Sequence, residues 1–510
     1  MNPSWLRDAV FYEIYPQSFR DTNGDGIGDF QGIIEKLDYI LSLGCNALWI
    51  NPCYDSPFHD AGYDVRDYRK VAPRYGTNED LYRLFQEAHA RGMHVLLDLV
   101  PGHTSEEHPW FRESQRAEKN ELSGRYIWTD SWFKGCRNIA YIGGETERDG
   151  TYLINFFKCQ PALNYGFLHP EESWQTPVDS PDAIATREAM KDVMRFWLTR
   201  GCDGFRVDMA ASLVKYDDEK KSGTSAVWKN VRQMLDEEFP EAAMVAEWCD
   251  PKIALRAGFH MDFYLNNSNG YTALMRDYEG HEDHSYFRRE GGGDIRPFLR
   301  EYEDWLQDTR DIGYISLLTC NHDTPRPRFH MDMEELKLCY AFLFTLPGVP
   351  FLYYGDEIGM RYLKLPTKEG GYTRTGTRTP MQWTKGKNLG FSDADPETLY
   401  LPVDDADDAP TVEAQEKDPS SLLSTVRALL ALRHRTPDLQ ADAPFASICT
   451  DPEKAFVYRR GSLILMINPL CRDQRVEIRG EILYSIGQVT KKEDAIMLSG
   501  PSFAIVQPAD

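Results

Sequence analysis

The chain has 510 residues, of which 42% are hydrophobic and 12% aromatic, a composition typical of a folded protein with more than one domain. Its 57 basic and 80 acidic residues give a formal net charge of −23, which argues against nucleic acid or an anionic membrane as a partner and fits a neutral substrate. No apolar run reaches membrane-spanning length and the N-terminus has no signal-like segment, so we expect a cytoplasmic protein.

The loop after the first predicted strand, "DTNGDGIGDF" (21–30), begins like the loop of an EF-hand. Oxygen-bearing side chains recur at Asp21, Asn23, Asp25 and Asp29, and Gly26 allows a sharp bend. An EF-hand needs a bidentate Glu at the twelfth position, where this chain has Gly32. The pattern alone leaves three alternatives: a calcium sensor, a structural ion site and a solvated turn.

Short apolar runs recur along the chain and alternate with helical stretches. The predicted strands are residues 9–16, 46–52, 94–100, 204–208, 243–248, 261–265, 314–319 and 350–357, and predicted helices between them include 33–44, 78–92 and 186–201. Eight buried strands alternating with helices predict an α/β fold, a parallel (β/α)₈ barrel. The alternative is an open doubly wound sheet, but no Gly-rich nucleotide motif follows the first strand.

Two segments interrupt the alternation and suggest further domains. The segment 103–180 is rich in Trp, Gly and Pro and is predicted to be an insertion after the third strand. After about residue 437 the pattern changes to short strands, which predicts a C-terminal antiparallel β-sandwich over 437–510. The barrel itself would comprise residues 1–102 and 181–436. The ten cysteines form no CxxC pair and are expected to be mostly buried free thiols.

Polar side chains follow several of the predicted strands, at the barrel end where active sites lie. A single strand-end carboxylate usually caps a helix or pairs with an Arg, but these residues would converge: Asp98, His103, Arg206, Asp208, Glu247, His322 and Asp323. Two carboxylates flanking a bond are what glycoside hydrolysis requires. We expect Arg206 to keep Asp208 ionised, and partial desolvation beside Trp248 to favour the protonated form of Glu247.

The segments "GFRVD", "VAEW", "CNHD", "HDAGYDVRDY" and "LDLVPGHTS" resemble signature segments of the α-amylase family of retaining glycosidases and transglycosidases. The resemblance extends over nearly the whole chain, with the insertion corresponding to that family's domain B. It implies that Asp208 is the nucleophile, Glu247 the general acid/base and Asp323 the third carboxylate. It further implies sugar contacts by His103 and His322, pairing of Arg206 with the nucleophile, and a stacking role for Tyr63.

"WLRDAVFYEIYPQSF", "GDEIGM" and "GTRTPMQW" resemble the oligosaccharide-cleaving branch of this family, which includes α-glucosidases, oligo-1,6-glucosidases and trehalose synthases. That branch holds a terminal glucose in a closed pocket with an Asp–Arg pair, matched here by Asp60 and Arg378. For Arg378 a simple loop salt bridge is the alternative. The resemblance also implies a structural calcium held by Asp21, Asn23, Asp25, Asp29 and the carbonyl of Ile27.

Three positions depart from the family pattern. Gly102 stands where the first signature usually has Asn, and Ala162 replaces the Asp of a QPDLN motif, so two oxygen ligands of the calcium between barrel and domain B are missing. We therefore expect the loop 21–29 to be the calcium site. Met209, after the nucleophile, matches neither residue that tracks linkage preference, which leaves the linkage open.

The sequence thus predicts a retaining, exo-acting α-glucosidase that cleaves terminal glucose from small oligosaccharides or disaccharides. A transglucosidase or isomerase acting on sucrose, maltose or trehalose would use the same residues. The choice would depend on loops such as 286–297 and 364–378, which control access of water or sugar. A non-catalytic binding subunit is a third alternative, disfavoured because Asp208, Glu247 and Asp323 are all present. The oligomeric state stays open.

Overall fold

A computed structural model describes residues 2–265, 274–275, 285–289, 292–368, 370 and 374–509. Eight parallel strands close a barrel in which neighbours in sequence are neighbours in space. They are β1 (Phe11–Ile14), β2 (Ala47–Ile50), β3 (His94–Leu99), β4 (Gly204–Val207), β5 (Ala243–Ala246), β6 (Met261–Tyr264), β7 (Tyr314–Leu318) and β8 (Val349–Tyr353). Each overlaps one predicted strand, so the barrel is confirmed and the open sheet is excluded.

Helices surround the barrel and connect its strands. Their bounds are α1 (Phe30–Glu35), α2 (Leu37–Leu43), α3 (Asn78–Ala90), α4 (Pro109–Ser114), α5 (Pro181–Leu198), α6 (Ser222–Glu238), α7 (Pro251–Ala254), α8 (Arg296–Thr309), α9 (Met333–Thr345), α10 (Val412–Glu416) and α11 (Leu422–Arg435). The prediction of a single helix over 33–44 is wrong, because two helices cover this segment. They are separated at Lys36, whose φ of −108° and ψ of 3° are not helical. No helix among the described residues is long and apolar enough to cross a membrane.

The segment between β3 and α5 forms a small unit beside the mouth of the barrel. It contains α4 and a two-stranded antiparallel ribbon, Tyr141–Gly143 with Thr151–Leu153. Buried apolar side chains form its own cluster around Leu153 and Phe167. A β-bridge between His103 and Ala162 ties this unit to the end of β3. The unit is therefore attached to the barrel at the carboxyl end of β3.

The C-terminal strands are β9 (Phe445–Cys449), β10 (Phe456–Arg460), β11 (Leu463–Asn468), β12 (Gln474–Val476), β13 (Gly480–Lys491) and β14 (Ile496–Pro508). All their pairings are antiparallel, as predicted. They form one hydrogen-bonded sheet rather than the two sheets of a sandwich, because the 13-residue β14 pairs with β11, β12 and β13. Two register shifts between β13 and β14 bend this sheet over its own apolar cluster.

Two buried arginines, Arg433 on α11 and Arg460 on β10, donate to carbonyl groups at and just beyond the end of α9. Arg433 donates to the carbonyls of Phe344, Leu346 and Gly348 at 2.8, 3.1 and 2.6 Å. Arg460, on β10, donates to the carbonyl of Thr345. Burial lowers the pKa of Arg433 to about 9 and that of Arg460 to about 10, and both guanidinium groups are held by carbonyl oxygens. These bonds satisfy carbonyl groups that every helix leaves unpaired at its C-terminus.

The ten cysteines are all free thiols. Six are buried, Cys159, Cys249 and Cys449 are partly exposed, and Cys471 is exposed. The expectation of mostly buried free thiols is therefore correct for the majority.

Candidate active site

The predicted catalytic carboxylates meet at the carboxyl end of the barrel. Asp208 directly follows β4, Glu247 directly follows β5, and Asp323 lies five residues beyond β7. Together they border a pocket of about 200 Å³, lined by Asp60, Tyr63, His103, Phe156, Asp208, Met209, Glu247, Leu265, Asn321, Asp323 and Arg374. Six of the predicted site residues line this pocket, and the other three, Arg206, His322 and Arg378, lie behind it in contact with its carboxylates.

Arg206 contacts three carboxylates at the base of the pocket. Its Nη1 lies 3.1 Å from Asp98 Oδ1 and 3.1 Å from Asp208 Oδ1, and its Nη2 lies 3.0 Å from Glu247 Oε2. The side chain is 1% exposed and lies over the Trp49 ring, 5.0 Å from its centroid. The predicted pairing of Arg206 with Asp208 is present, but one guanidinium serves three carboxylates.

This sharing changes the expected protonation of Asp208. Burial raises the pKa of Asp208 well above its ordinary value, the neighbouring Glu247 raises it further, and Arg206 opposes both. The expectation that Arg206 keeps Asp208 ionised is therefore wrong in this direction of the pKa, because the charge of Arg206 is divided among Asp98, Asp208 and Glu247. The direction of the Asp208 pKa therefore follows from burial and the nearby Glu247, against the opposing charge of Arg206.

The residue after Asp208 also contacts Glu247. Met209 adopts a left-handed backbone conformation, with φ 43° and ψ 43°, which only a few per cent of non-glycine residues adopt. This turn directs its N–H to Glu247 Oε2 at 3.0 Å. The strained turn thereby fixes the distance between the loops that carry the two carboxylates.

His322 is the centre of a second buried network. Its Nδ1 lies 2.8 Å from Glu13 Oε1, and its Nε2 lies 3.2 Å from Asp323 Oδ2 and 2.7 Å from the Tyr63 hydroxyl. Burial disfavours the imidazolium, but Asp323 and Glu13 outweigh it and raise the pKa of His322 to about 9. His322 is therefore a cation at neutral pH. The Tyr63 ring stacks on it, with centroids 5.4 Å apart, and its predicted stacking on a sugar stays a prediction.

Asp323 is held ionised by three cations. Arg378 Nη2 lies 2.8 Å and Arg374 Nη1 3.1 Å from Asp323 Oδ1, in addition to His322. Burial opposes ionisation, but these cations bring the pKa of Asp323 well below its ordinary value. A carboxylate that stays charged in a buried pocket is a strong acceptor for substrate hydroxyls.

The predicted Asp60–Arg378 pair needs a correction. Among the described residues the cation on Asp60 is Arg374, whose Nη2 lies 3.2 Å from Asp60 Oδ1, and Gln160 donates to Asp60 Oδ2 at 2.8 Å. Arg378 instead contacts Asp323 and donates to the carbonyl of His322 at 2.8 Å. Arg374 therefore bridges Asp60 and Asp323 across the pocket, four residues earlier in the same loop.

His103 is neutral and fixed by backbone and amide groups. Its Nε2–H donates to the Tyr63 carbonyl at 3.2 Å, and its Nδ1 faces Asn155 Nδ2 at 3.4 Å. Burial lowers the pKa of His103 to about 4. The Lys215 ammonium donates to Asn155 Oδ1 at 3.0 Å and to the Ser212 carbonyl at 2.9 Å, which places a positive charge between the inserted unit and the barrel.

The loop 21–29 folds its oxygen-bearing side chains onto its own backbone. Asp21, Asn23 and Asp25 each accept a hydrogen bond from the N–H two residues ahead, and Asp29 caps α1 through the Gly32 N–H at 2.7 Å. Asn23 and Asp25 are exposed to solvent. Carboxylate, amide and carbonyl oxygens in one tight loop fit the donor preference of calcium, so the residues are compatible with the predicted ion.

Five residues of these networks were not singled out by the sequence: Glu13, Asn155, Gln160, Lys215 and Arg374. Glu13 is the one charged residue of β1, and a charge inside an apolar run is a signal that could have pointed to it. Arg374, Asn155 and Gln160 lie in irregular loops with no periodicity to mark them. Of the predicted acceptor loops, residues 290–291, 369 and 371–373 lie outside the described residues.

Comparison with known proteins decides the family. A model of the α-amylase catalytic domain matches residues 13–442. The chain belongs to the α-amylase family, glycoside hydrolase family 13. It is 34% identical over 520 residues to "Trehalose synthase/amylase TreS" of Mycobacterium tuberculosis strain H37Rv, covering 92% of this chain and 83% of that one. It is 31% identical over 539 residues to "Probable oligo-1,6-glucosidase 2" of Bacillus subtilis strain 168, covering 93% and 92%.

Solved structures of α-amylase family members share its architecture. The trehalulose synthase MutB of Pseudomonas mesoacidophila MX-45 superposes with a TM-score of 0.81 at 25% identity, covering 100% of both chains. The family resemblance carried by the signature segments and the barrel with its C-terminal antiparallel sheet are both confirmed.

Proposed function

We propose that this α-amylase family member is a retaining, exo-acting α-glucosidase for small α-glucosides. The observation that carries the proposal is the convergence of Asp208, Glu247 and Asp323 on one pocket, with Arg206 bridging the first two. Asp208 attacks the anomeric carbon and forms a covalent β-glucosyl-enzyme while Glu247 protonates the departing oxygen. Glu247 then takes a proton from water, which releases glucose with its α configuration retained.

The two carboxylates have different roles in double displacement, which starts with an ionised nucleophile and a protonated acid. Arg206, 3.1 Å from Asp208 Oδ1, lowers the pKa of Asp208 and is the cation placed to favour its ionised form. Arg206 stabilises the negative charge that leaves Asp208 in the first step and returns in the second. Its hydrogen bonds to both carboxylates keep that charge in the same place throughout.

The pocket supports action at a chain end. Its volume of about 200 Å³ is below the range of about 300–1,000 Å³ usual for larger ligands, and it is suited to one sugar unit. Arg374 joins Asp60 to Asp323 across its width, so a long chain cannot pass through between them. Asp60, Asp323 and Arg374 present fixed charged acceptors and donors, which are suited to the hydroxyls of a terminal glucose.

Isomerisation of a disaccharide is the second candidate function. Two of the similar proteins are named for such reactions, a trehalose synthase/amylase and a trehalulose synthase, and the same residues would serve. The glucosyl-enzyme would be attacked by the retained sugar instead of by water. Maltose, isomaltose, sucrose and trehalose, each incubated with the protein and resolved by chromatography, distinguish the two. Free glucose as the sole product excludes isomerisation, and a rearranged disaccharide as the main product excludes the α-glucosidase.

The variant Asp208→Asn tests the catalytic assignment itself. We expect loss of activity by at least about 10⁴-fold with an unchanged melting temperature, since removal of a catalytic nucleophile produces losses of that order. Asp67→Asn is the matched control and should keep full activity. Asp67 begins the short strand Asp67–Val71, in the segment between β2 and α3. Activity of Asp208→Asn close to that of the wild type would show that this residue is not the nucleophile, and would reopen the binding-subunit alternative.

We propose further that calcium binds the loop 21–29 in a structural role. Five oxygen ligands would come from Asp21, Asn23, Asp25, Asp29 and the carbonyl of Ile27, and solvent could complete the shell because Asn23 and Asp25 are exposed. Asp29 also caps α1, so an ion there would fix the first barrel helix. Excess chelator should lower the melting temperature, and added calcium should restore it. Identical melting with and without chelator would contradict the proposal.

A further inference from the structure

A mixed cluster of metal-ligating side chains lies outside the catalytic networks. Within the described part of the chain, His59, Asp64 and Cys159 are the one group of three His, Cys, Asp or Glu residues whose ligand atoms all lie within 4.8 Å of one another. His59 and Asp64 belong to the loop after β2, and Cys159 belongs to the segment inserted after β3. Neither the glucosidase chemistry nor the calcium loop uses any of the three.

The donor set identifies the kind of cation that would bind. Nitrogen, carboxylate and thiolate ligands together favour zinc and related ions, whereas calcium and magnesium take oxygen ligands alone. His59 Nδ1 lies 3.8 Å from Asp64 Oδ2. Two ligands on one tetrahedral zinc, each bonded at about 2.0–2.2 Å, lie about 3.4 Å apart, so a small rotation of the half-exposed His59 side chain is sufficient.

The electrostatics of the cluster favour a bound cation. The Asp64 side chain is fully buried, and its one ion-pair partner among the described residues is His59. The ligand atom of Cys159 lies within 4.8 Å of those of Asp64 and His59. Asp64 also accepts hydrogen bonds from the His59 and Asp60 N–H groups at 2.9 and 3.1 Å, and a divalent ion would add a positive charge beside this buried carboxylate.

We propose that His59, Asp64 and Cys159 form a binding site for a divalent cation of the zinc class. The metal–sulfur bond forms as the Cys159 S–H bond breaks, and the proton passes to solvent. Three protein ligands leave a fourth position for water. The cation would join the loop after β2 to the inserted segment through ligands from both.

The site adjoins the catalytic pocket at Asp60. The Asp60 N–H donates to Asp64 Oδ1 at 3.1 Å, and Gln160, next to Cys159, donates to Asp60 Oδ2 at 2.8 Å. A cation on Asp64 and Cys159 would therefore fix the two segments that hold Asp60. We expect occupancy to change the KM for a small α-glucoside more than kcat, because Asp60 is placed to bind the sugar and not to react with it.

Cobalt(II) is the probe that tests the site, since cobalt–thiolate bonds give an intense near-ultraviolet absorption band. The full-length reduced protein is stripped of metal, supplied with saturating calcium to fill oxygen sites, and titrated with Co²⁺. We expect the band to saturate at one equivalent per chain. It should be lost in Cys159→Ser and require about tenfold or more Co²⁺ in His59→Ala. Cys471→Ser, which removes the exposed cysteine, is the matched control and should keep the band.

Each outcome of the cobalt and zinc experiments either supports or overturns the proposed site. No band in the wild type, or an equal band in Cys159→Ser, overturns the proposal. Zinc should displace cobalt and raise the melting temperature of the wild type and of Cys471→Ser, but not of Cys159→Ser. A zinc-induced rise of the same size in all three proteins would also refute it, because the stabilising site would then lie elsewhere. None of these readouts depends on the glucosidase activity.

Discussion

Arg374 offers the sharpest test of how the pocket is held together. It donates from one guanidinium to Asp60 and to Asp323, and its side chain is only 14% exposed. In Arg374→Ala, Asp323 keeps Arg378 and His322, but within the described part of the chain the Asp60 carboxylate keeps only the Gln160 amide. The loss should therefore act mainly through Asp60.

The magnitude follows from one charge-assisted hydrogen bond. Such a bond contributes about 1.5–3 kcal/mol, which corresponds to a fall of about 10- to 100-fold in kcat/KM. Burial raises the pKa of Asp60, and Arg374 is the largest influence that lowers it. Removing Arg374 raises that pKa further, so the acid limb of the kcat/KM profile should move to higher pH.

The assay is glucose release from maltose, measured as kcat/KM between pH 4 and 8. Arg374→Lys keeps the positive charge but loses the planar guanidinium that donates to two carboxylates. Its kcat/KM should lie between those of the wild type and Arg374→Ala. Arg310→Ala, at an exposed arginine on the far side of the barrel, is the control and should stay within about twofold. If Asp60→Asn and Arg374→Ala multiplied their losses in the double variant, the two residues would act independently and the reasoning would be refuted.

Two further predictions concern buried ionisable groups away from the reacting atoms. Burial raises the pKa of Glu357 to about 7, which exceeds that of an unfolded Glu, so its contribution to stability falls as pH rises from about 4.5 through 7. The free energy of unfolding, measured by urea denaturation, should therefore fall less between pH 5 and 8 in Glu357→Gln than in the wild type. The difference should be up to about 3 kcal/mol, and equal falls would contradict the prediction. Lys215→Met should lower the melting temperature and kcat/KM together, because Asn155 would lose the ammonium that orients it toward His103. A melting temperature unchanged from the wild type would show that this charge does not join the inserted unit to the barrel.

The sequence was informative where a local pattern determines the structure. Strands such as β2 and β8 are continuous apolar runs, because a parallel barrel buries both faces of each strand. Asp208 and Glu247 directly follow two such buried strands, so the sequence alone was sufficient to predict their place at the pocket. The interrupted helix at Lys36 could not be predicted in this way, since the sequence around it has uninterrupted helical spacing.

The sequence was less informative where position depends on several distant segments. Arg374 and Arg378 lie four residues apart in one loop, and only the folded chain shows which of them contacts Asp60. The protonation of Asp208 likewise depends on how Arg206 is divided among Asp98, Asp208 and Glu247. Such sharing has no signature in a linear pattern, because it arises from three strands that are far apart in the chain.

Arg460, one of the two arginines at the end of α9, joins the C-terminal sheet to the barrel. The family match ends at residue 442, which suggests a natural place to shorten the protein. Arg460 lies beyond that point and binds the last carbonyl of α9, the helix that leads into β8. A chain ended at residue 442 would leave that carbonyl and the apolar flank of α9 facing water. The end of the catalytic-domain match therefore does not coincide with an end of the packed structure.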